Sequence, residues 1–115
     1  MIVCHPTQAA RDAAAVGQRP ATAVIFDAPD ARLVVFRLAS GQSVPPHRNA
    51  SSVFLTVLEG TGIISGADGE RECSVGDTIA FSPNETHGMR AVDTPLHLLA
   101  VITPRSGDRP RLGQP

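Results

Sequence analysis

Short runs rich in apolar and β-branched residues alternate with turn residues every 8 to 12 positions from Ala21 onward. The turns carry Gly, Pro, Asn and Asp, and the pair Asp68-Gly69 is typical of a tight hairpin. This rhythm favours antiparallel strands that close into a sandwich or a barrel. We therefore predict an all-β fold with strands at residues 22–26, 32–38, 43–46, 53–58, 61–65, 70–74, 78–81, 87–92 and 96–102.

The two ends of the chain lack this rhythm. Residues 7–16 have sustained helix propensity, and Gly17 and Pro20 follow them as residues that end helices. Residues 105–115 contain a single large apolar side chain, Leu112, so burial cannot offset the entropy lost on ordering. We expect a single domain with an N-terminal arm at 1–20, a barrel at 21–104 and a disordered tail at 105–115.

Charge and composition narrow the classes of partner. The 10 basic and 11 acidic residues give a net charge of −1, and the Arg residues are scattered, so nucleic acid and anionic membranes are not expected partners. Aromatic residues make up 3% of the chain, which disfavours a surface that stacks on bases. The apolar runs are far shorter than a membrane span of about 20 residues, and neither a basic nor a long apolar leader is evident. The expected location is the cytoplasm.

Two segments each place a histidine at a fixed distance after a glycine. Gly41 is followed by His47 and later by Gly60, and Gly76 is followed by His87. These five positions match the framework of the two motifs of the cupin superfamily, G-x5-H-x-H-x3-E-x6-G and G-x5-P-x-G-x2-H-x3-N. The chain resembles this superfamily over residues 31–104, and in particular its small single-domain bacterial members of the RmlC-like type. The resemblance implies a double-stranded β-helix, or jelly-roll barrel, commonly a homodimer, with a ligand pocket inside the barrel mouth.

The chain departs from the motifs at the positions of the metal ligands. Asn49 stands in place of the second histidine and Val53 in place of the glutamate. Residues i and i+2 of a strand share a face, so His47 and Asn49 point the same way, and a neighbouring strand could bring His87 close to them. We therefore predict a metal site of His47, Asn49 and His87 that holds a divalent ion such as zinc, nickel, iron or manganese.

The missing carboxylate has two consequences for such a site. Metal affinity should be low, because two imidazoles and an amide would supply no negative charge to the ion. The uncompensated metal should attract a small ligand that is anionic or bears a carbonyl group. Two functions therefore remain open from the sequence: a metal-dependent cupin with oxygenase-like or isomerase-like chemistry, and a metal-free cupin that binds or senses a ligand without catalysis.

Four further polar residues are candidates for parts of the site. His97 could add an imidazole if its side chain points into the barrel, and Arg37 must reach solvent or meet an anion because its neighbours are apolar. Glu59 and Glu85 lie near the two motifs, but their positions beside turns favour solvated roles over catalysis.

Several strands are apolar at successive positions, as in residues 33–36 and 96–102. Such strands present apolar side chains on both faces, and one face fills the barrel while the other needs a cover. This pattern also predicts a homodimer.

Overall fold

The computed structural model describes residues 1–105 as one short helix followed by eight strands. These are α1 (Pro6–Asp12), β1 (Ala21–Ala28), β2 (Ala31–Leu38), β3 (Ser43–His47), β4 (Ser52–Gly66), β5 (Gly69–Ser74), β6 (Thr78–Phe81), β7 (His87–Arg90) and β8 (Leu96–Thr103). The expected tail lies outside the described residues except for Arg105, whose guanidinium donates to Asp27 Oδ1 at 3.0 Å. Within residues 1–105, no helix is long and apolar enough to cross a membrane.

The strands form a curled antiparallel sheet. Six of them follow the order β1-β2-β8-β4-β7-β3, and β5 and β6 each pair with β4. The predicted hairpin joins β4 to β5 through Ala67 and Asp68, with Gly66 paired to Gly69. The all-β prediction is confirmed.

The long strand β4 joins the two parts of the sheet. Its first half pairs with β6 and β8, and its second half pairs with β5 and β7. The bend between the halves requires Gly60, because its φ is 77° and a Cβ there would overlap the carbonyl oxygen of Pro95. The sequence predicted two strands at 53–58 and 61–65, and the structure instead has one strand that bends at this glycine.

The core fills the inside of the curled sheet, where Leu38, Leu55, Leu96 and Leu98 are fully buried. Helix α1 packs on the opposite, outer face against β1, β2, β4 and β8. The helix ends at Asp12, earlier than the predicted residue 16, and Arg37 of β2 donates to the carbonyl oxygens of Ala10 and Arg11. Those carbonyls would accept from residues 14 and 15 in a longer helix, so Arg37 takes the place of another turn.

Candidate functional site

Two of the predicted site residues, His47 and His87, lie side by side on neighbouring strands. His47 is the last residue of β3, His87 is the first residue of β7, and the two are partners in the antiparallel register. Their ring centroids are 4.4 Å apart, with the ring planes tilted by 58°. The structure therefore brings together the two histidines that lie 40 positions apart in the sequence.

The two imidazoles differ in their exposure to solvent. His47 is exposed, whereas His87 is 4% exposed and stacks on the ring of Phe81 with a centroid distance of 4.7 Å. Burial lowers the pKa of His87 below its ordinary value of 6.5, and the neighbouring His47 lowers it further, although the backbone of Glu85 opposes the shift. His87 is thus held as the neutral imidazole, the form that can donate a lone pair to a metal or accept a hydrogen bond.

Both rings are oriented by a hydrogen bond to a backbone carbonyl two residues earlier in the chain. The Nδ1 atom of His47 lies 3.1 Å from the carbonyl oxygen of Pro45, and the Nδ1 atom of His87 lies 3.1 Å from the carbonyl oxygen of Glu85. A carbonyl oxygen only accepts hydrogen bonds, so Nδ1 must carry the proton in each neutral ring. The Nε2 atom of each ring then keeps its lone pair for a ligand or a metal ion.

Asn49, the third predicted ligand, belongs to the turn between β3 and β4. Its side-chain Oδ1 accepts the N–H of Ser51 at 2.9 Å, and its backbone oxygen accepts the N–H of Asn84 at 2.7 Å. The first of these bonds closes a local Asx turn. The amide oxygen has a second lone pair, but its direction is set by the turn.

Val53, which occupies the glutamate position of the motif, is a core residue next to Phe81. It is 3% exposed and is the register partner of Phe81, whose ring stacks on His87. An apolar side chain therefore lies where the motif has a carboxylate.

The two carboxylates considered from the sequence have structural roles. Both oxygens of Glu85 accept backbone N–H groups, from Ser82 at 3.0 Å and from Ala67 at 3.2 Å. Glu59 accepts two hydrogen bonds of 2.7 Å from Arg11, and this pair lowers the pKa of Glu59. Neither carboxylate is therefore placed as a free acid or base beside the imidazoles.

His97 and Arg37 are register partners on the outer face of the sheet. The neighbours of His97 on β8, Leu96 and Leu98, point into the core, so His97 points away from the histidine pair. It lies 3.3 Å from Glu59, within ion-pair distance but without hydrogen-bond geometry. Arg37 is partly exposed, and its guanidinium also donates to the last carbonyls of α1, a contact that its sequence context did not indicate.

Phe81 and the contacts of Glu85 are parts of the site that the sequence did not predict. The sequence shows a phenylalanine six positions before the second motif histidine. Its stacking on His87 depends on the pairing of β6 with β4, which the sequence does not show. Within residues 1–105, no group of three or more His, Cys, Asp and Glu side chains is arranged so that it could hold a metal ion.

The model of the cupin domain family matches residues 34–102, a span that contains both histidines and most of the sheet. The chain belongs to the cupin family. No curated protein matches this cupin significantly.

Solved structures share the double-stranded β-helix fold of this cupin. An RmlC-like cupin from Desulfovibrio desulfuricans is 27% identical, with a TM-score of 0.69 over 76% of this chain and 84% of that chain. A predicted oxalate decarboxylase from Thermotoga maritima is 22% identical, with a TM-score of 0.70 over 75% and 81% of the two chains. The DMSP lyase DddQ from Ruegeria pomeroyi is 16% identical, with a TM-score of 0.70 over 82% of this chain and 53% of that chain.

Proposed function

We propose that this cupin binds a small molecule at the histidine pair, His47 and His87, through a weakly held divalent cation. The observation that carries the proposal is the shared orientation of the two rings. Each Nδ1 is bonded to a backbone carbonyl, and the ring centroids are 4.4 Å apart, so two Nε2 lone pairs are available close to one another. Adjacent lone pairs are stabilised by an electropositive group, and imidazole is a common ligand for zinc, nickel and iron.

The donor set fits a metal ion in part. The two imidazoles are suitable, Asn49 Oδ1 would be a weak third donor because it already accepts the Ser51 N–H, and Val53 supplies no donor. Affinity should therefore be well below that of a site with three histidines and a carboxylate. A bound divalent cation would act as a Lewis acid on oxygen atoms of the ligand.

The same donor set indicates the class of ligand. Two neutral imidazoles leave the charge of a divalent cation uncompensated, which favours a ligand with a carboxylate or a polarised carbonyl. The predicted oxalate decarboxylase from Thermotoga maritima is named for a dicarboxylate substrate, and this supports the same class for the present chain. Glu59 and Glu85 are hydrogen-bonded to other groups, so neither carboxylate is available to transfer a proton to or from the ligand. The proposed function is therefore binding.

Calorimetric titration of the metal-free protein with zinc and nickel tests this proposal. We expect binding with one ion per chain, and we expect both His47→Ala and His87→Ala to remove it. His97→Ala is the matched control, because it deletes an imidazole from the outer face and should leave the titration unchanged. Absence of binding heat in the parent, or equal heats in the parent and in His87→Ala, would refute the metal site.

A metal-free binding module is the second candidate, and the Asx turn at Asn49 favours it because the third donor is already engaged. In that case the two Nε2 atoms accept hydrogen bonds from the ligand directly. Titration with oxalate separates the two functions. The metal site requires that oxalate binding be lost in EDTA and restored by zinc, whereas equal binding with and without EDTA supports the metal-free module.

We also infer that the chain forms a homodimer through the outer face of the sheet. Four apolar residues lie in one register row across β1, β2, β8 and β4, namely Phe26, Leu33, Val101 and Phe54. Phe54 is 38% exposed, so this row extends an apolar patch to the solvent, and contiguous apolar patches mark interaction surfaces. Sedimentation equilibrium at micromolar concentration should show a dimer that Phe54→Glu converts to a monomer, and a monomeric parent would refute this inference.

A further inference from the structure

The side chain of Glu85 connects two turns that otherwise belong to different hairpins. Its Oε1 atom accepts the N–H of Ser82 at 3.0 Å, within its own turn between β6 and β7. Its Oε2 atom accepts the N–H of Ala67 at 3.2 Å, in the turn between β4 and β5. One carboxylate thus fixes the distance between these two turns.

The backbone of the same residue orients the buried histidine. The carbonyl oxygen of Glu85 lies 3.1 Å from His87 Nδ1, and the N–H of Glu85 donates to the carbonyl oxygen of Ser82 at 3.1 Å. The position of this carbonyl decides which nitrogen of His87 carries the proton. It therefore decides whether Nε2 has a free lone pair.

The hairpin turn packs closely against this arrangement. A Cβ added to Gly66 would lie 3.2 Å from Glu85 Oε2 and 3.2 Å from the ring of Phe81, the ring that stacks on His87. The absence of a side chain at Gly66 lets the hairpin approach both the carboxylate and the aromatic ring. The β4–β5 turn therefore supports two neighbours of His87, its hydrogen-bond acceptor and its stacking partner.

We infer that Glu85 is a positioning residue for His87: its carboxylate, anchored to the β4–β5 turn, holds the Glu85 carbonyl where it keeps the proton of His87 on Nδ1. The lone pair of Nε2 is thereby kept for the metal or ligand. The functional role of Glu85 therefore rests on the proposed function. Groups that hold the second nitrogen of a metal-binding histidine change metal affinity by 10-fold to 100-fold when removed. Glu85 acts one step further away, through the backbone, and we expect a loss at the lower end of that range.

Long-range ¹H–¹⁵N spectra of the imidazoles in the full chain test the inference directly, because they distinguish the two neutral tautomers. The parent should show both His47 and His87 protonated at Nδ1. Glu85→Ala should give His87 a mixture of tautomers, while His47, whose acceptor is Pro45, stays unchanged and serves as an internal reference. Glu72→Ala is the matched control, since it removes an exposed carboxylate from β5 of the same hairpin.

Zinc affinity is the second readout. Glu85→Ala should weaken zinc binding about tenfold, and Glu72→Ala should not change it. Glu85→Gln keeps one acceptor oxygen but not two, so it should give an intermediate affinity and an intermediate tautomer ratio, and it replaces the alanine variant if that variant fails to fold.

The outcomes separate this inference from the proposed function. An unchanged His87 tautomer in folded Glu85→Ala or Glu85→Gln overturns the positioning role, whatever the zinc affinity. A shifted tautomer in a protein whose parent binds no zinc upholds the positioning role and refutes the metal site alone.

Discussion

Both faces of the sheet carry histidine side chains, and the groups around these side chains differ. On the inner side, the Nδ1 atoms of His47 and His87 are bonded to backbone carbonyls. On the outer face, His97 lies beside the carboxylate of Glu59, which also holds Arg11 of the N-terminal helix. The outer histidine has a charged partner within the fold, whereas the inner rings keep Nε2 for a group from outside. The contrast separates a histidine that lies beside the ion pair holding α1 from two histidines whose Nδ1 atoms are engaged by the backbone.

A carboxylate can be added to the inner pair by substitution of Val53, which gives that pair the kind of partner that the outer histidine has. Val53→Glu places a carboxyl group in the core beside Phe81, and an unpaired buried charge should destabilise the metal-free protein by about 3 kcal/mol or more. If the pair binds zinc, the new carboxylate gains a cation as its partner. Thermal unfolding should then show a larger stabilisation by zinc in Val53→Glu than in the parent.

Val57→Glu is the control for this experiment. Val57 is 1% exposed and lies on the same strand, but its register partner is Leu98 rather than a neighbour of the histidines. It should suffer a similar loss of stability without rescue by zinc. Equal rescue of the two variants would contradict the placement of the metal at the histidine pair.

The outer face offers a second, smaller test. Arg37→Ala removes two donors from the carbonyls of Ala10 and Arg11, and loss of hydrogen bonds to a charged group should lower the free energy of unfolding by about 1.5 kcal/mol. We expect faster amide exchange in α1 and unchanged zinc affinity. Denaturant unfolding and hydrogen exchange measure the two effects.

Arg32→Ala is the matched variant on the same strand. Arg32 forms an ion pair with Asp27 at 3.2 Å, and such exposed pairs contribute little. If Arg32→Ala loosens α1 as much as Arg37→Ala does, the attachment of the helix does not depend on the Arg37 contacts.

The sequence was sufficient for the features that depend on local pattern and motif spacing. The β-rich runs located the strands, and the glycine-to-histidine spacings identified His47 and His87 as neighbours. The hydrogen-bond partners of the polar residues could not be predicted from the sequence, because these contacts depend on how distant turns and elements pack against one another. Glu85 is partly exposed, and it meets Ala67 only because the β4–β5 hairpin folds back onto the turn before β7. Arg37 is partly exposed, and its bonds to α1 could not be predicted, because nothing in its strand indicates that a helix would end beside it.

The two faces should lose stability at different pH values, and by small amounts. His87 and Glu59 both have a lowered pKa in the folded protein, so in each case the unfolded chain binds protons more readily, and stability must fall as the solution is acidified. Protonation of His87 should lower the free energy of unfolding from about pH 6.5, its ordinary pKa, down to its lower pKa in the folded protein. Protonation of Glu59 should lower the free energy of unfolding further below about pH 4.5, the ordinary pKa of this group.

Denaturant unfolding of the metal-free protein in EDTA, repeated across this pH range, should therefore show two separable losses. His87→Gln should remove the upper one and leave the lower, because glutamine does not titrate. Glu59→Gln should reduce the lower loss and leave the upper one, since it deletes the carboxylate that Arg11 stabilises in its charged form. Part of the lower loss should remain, because Arg32 and Arg105 also lower the pKa of Asp27. If His87→Gln left the upper loss intact, burial of that imidazole would not govern its protonation. The lone pair of His87 would then not be kept available to a ligand at mildly acidic pH.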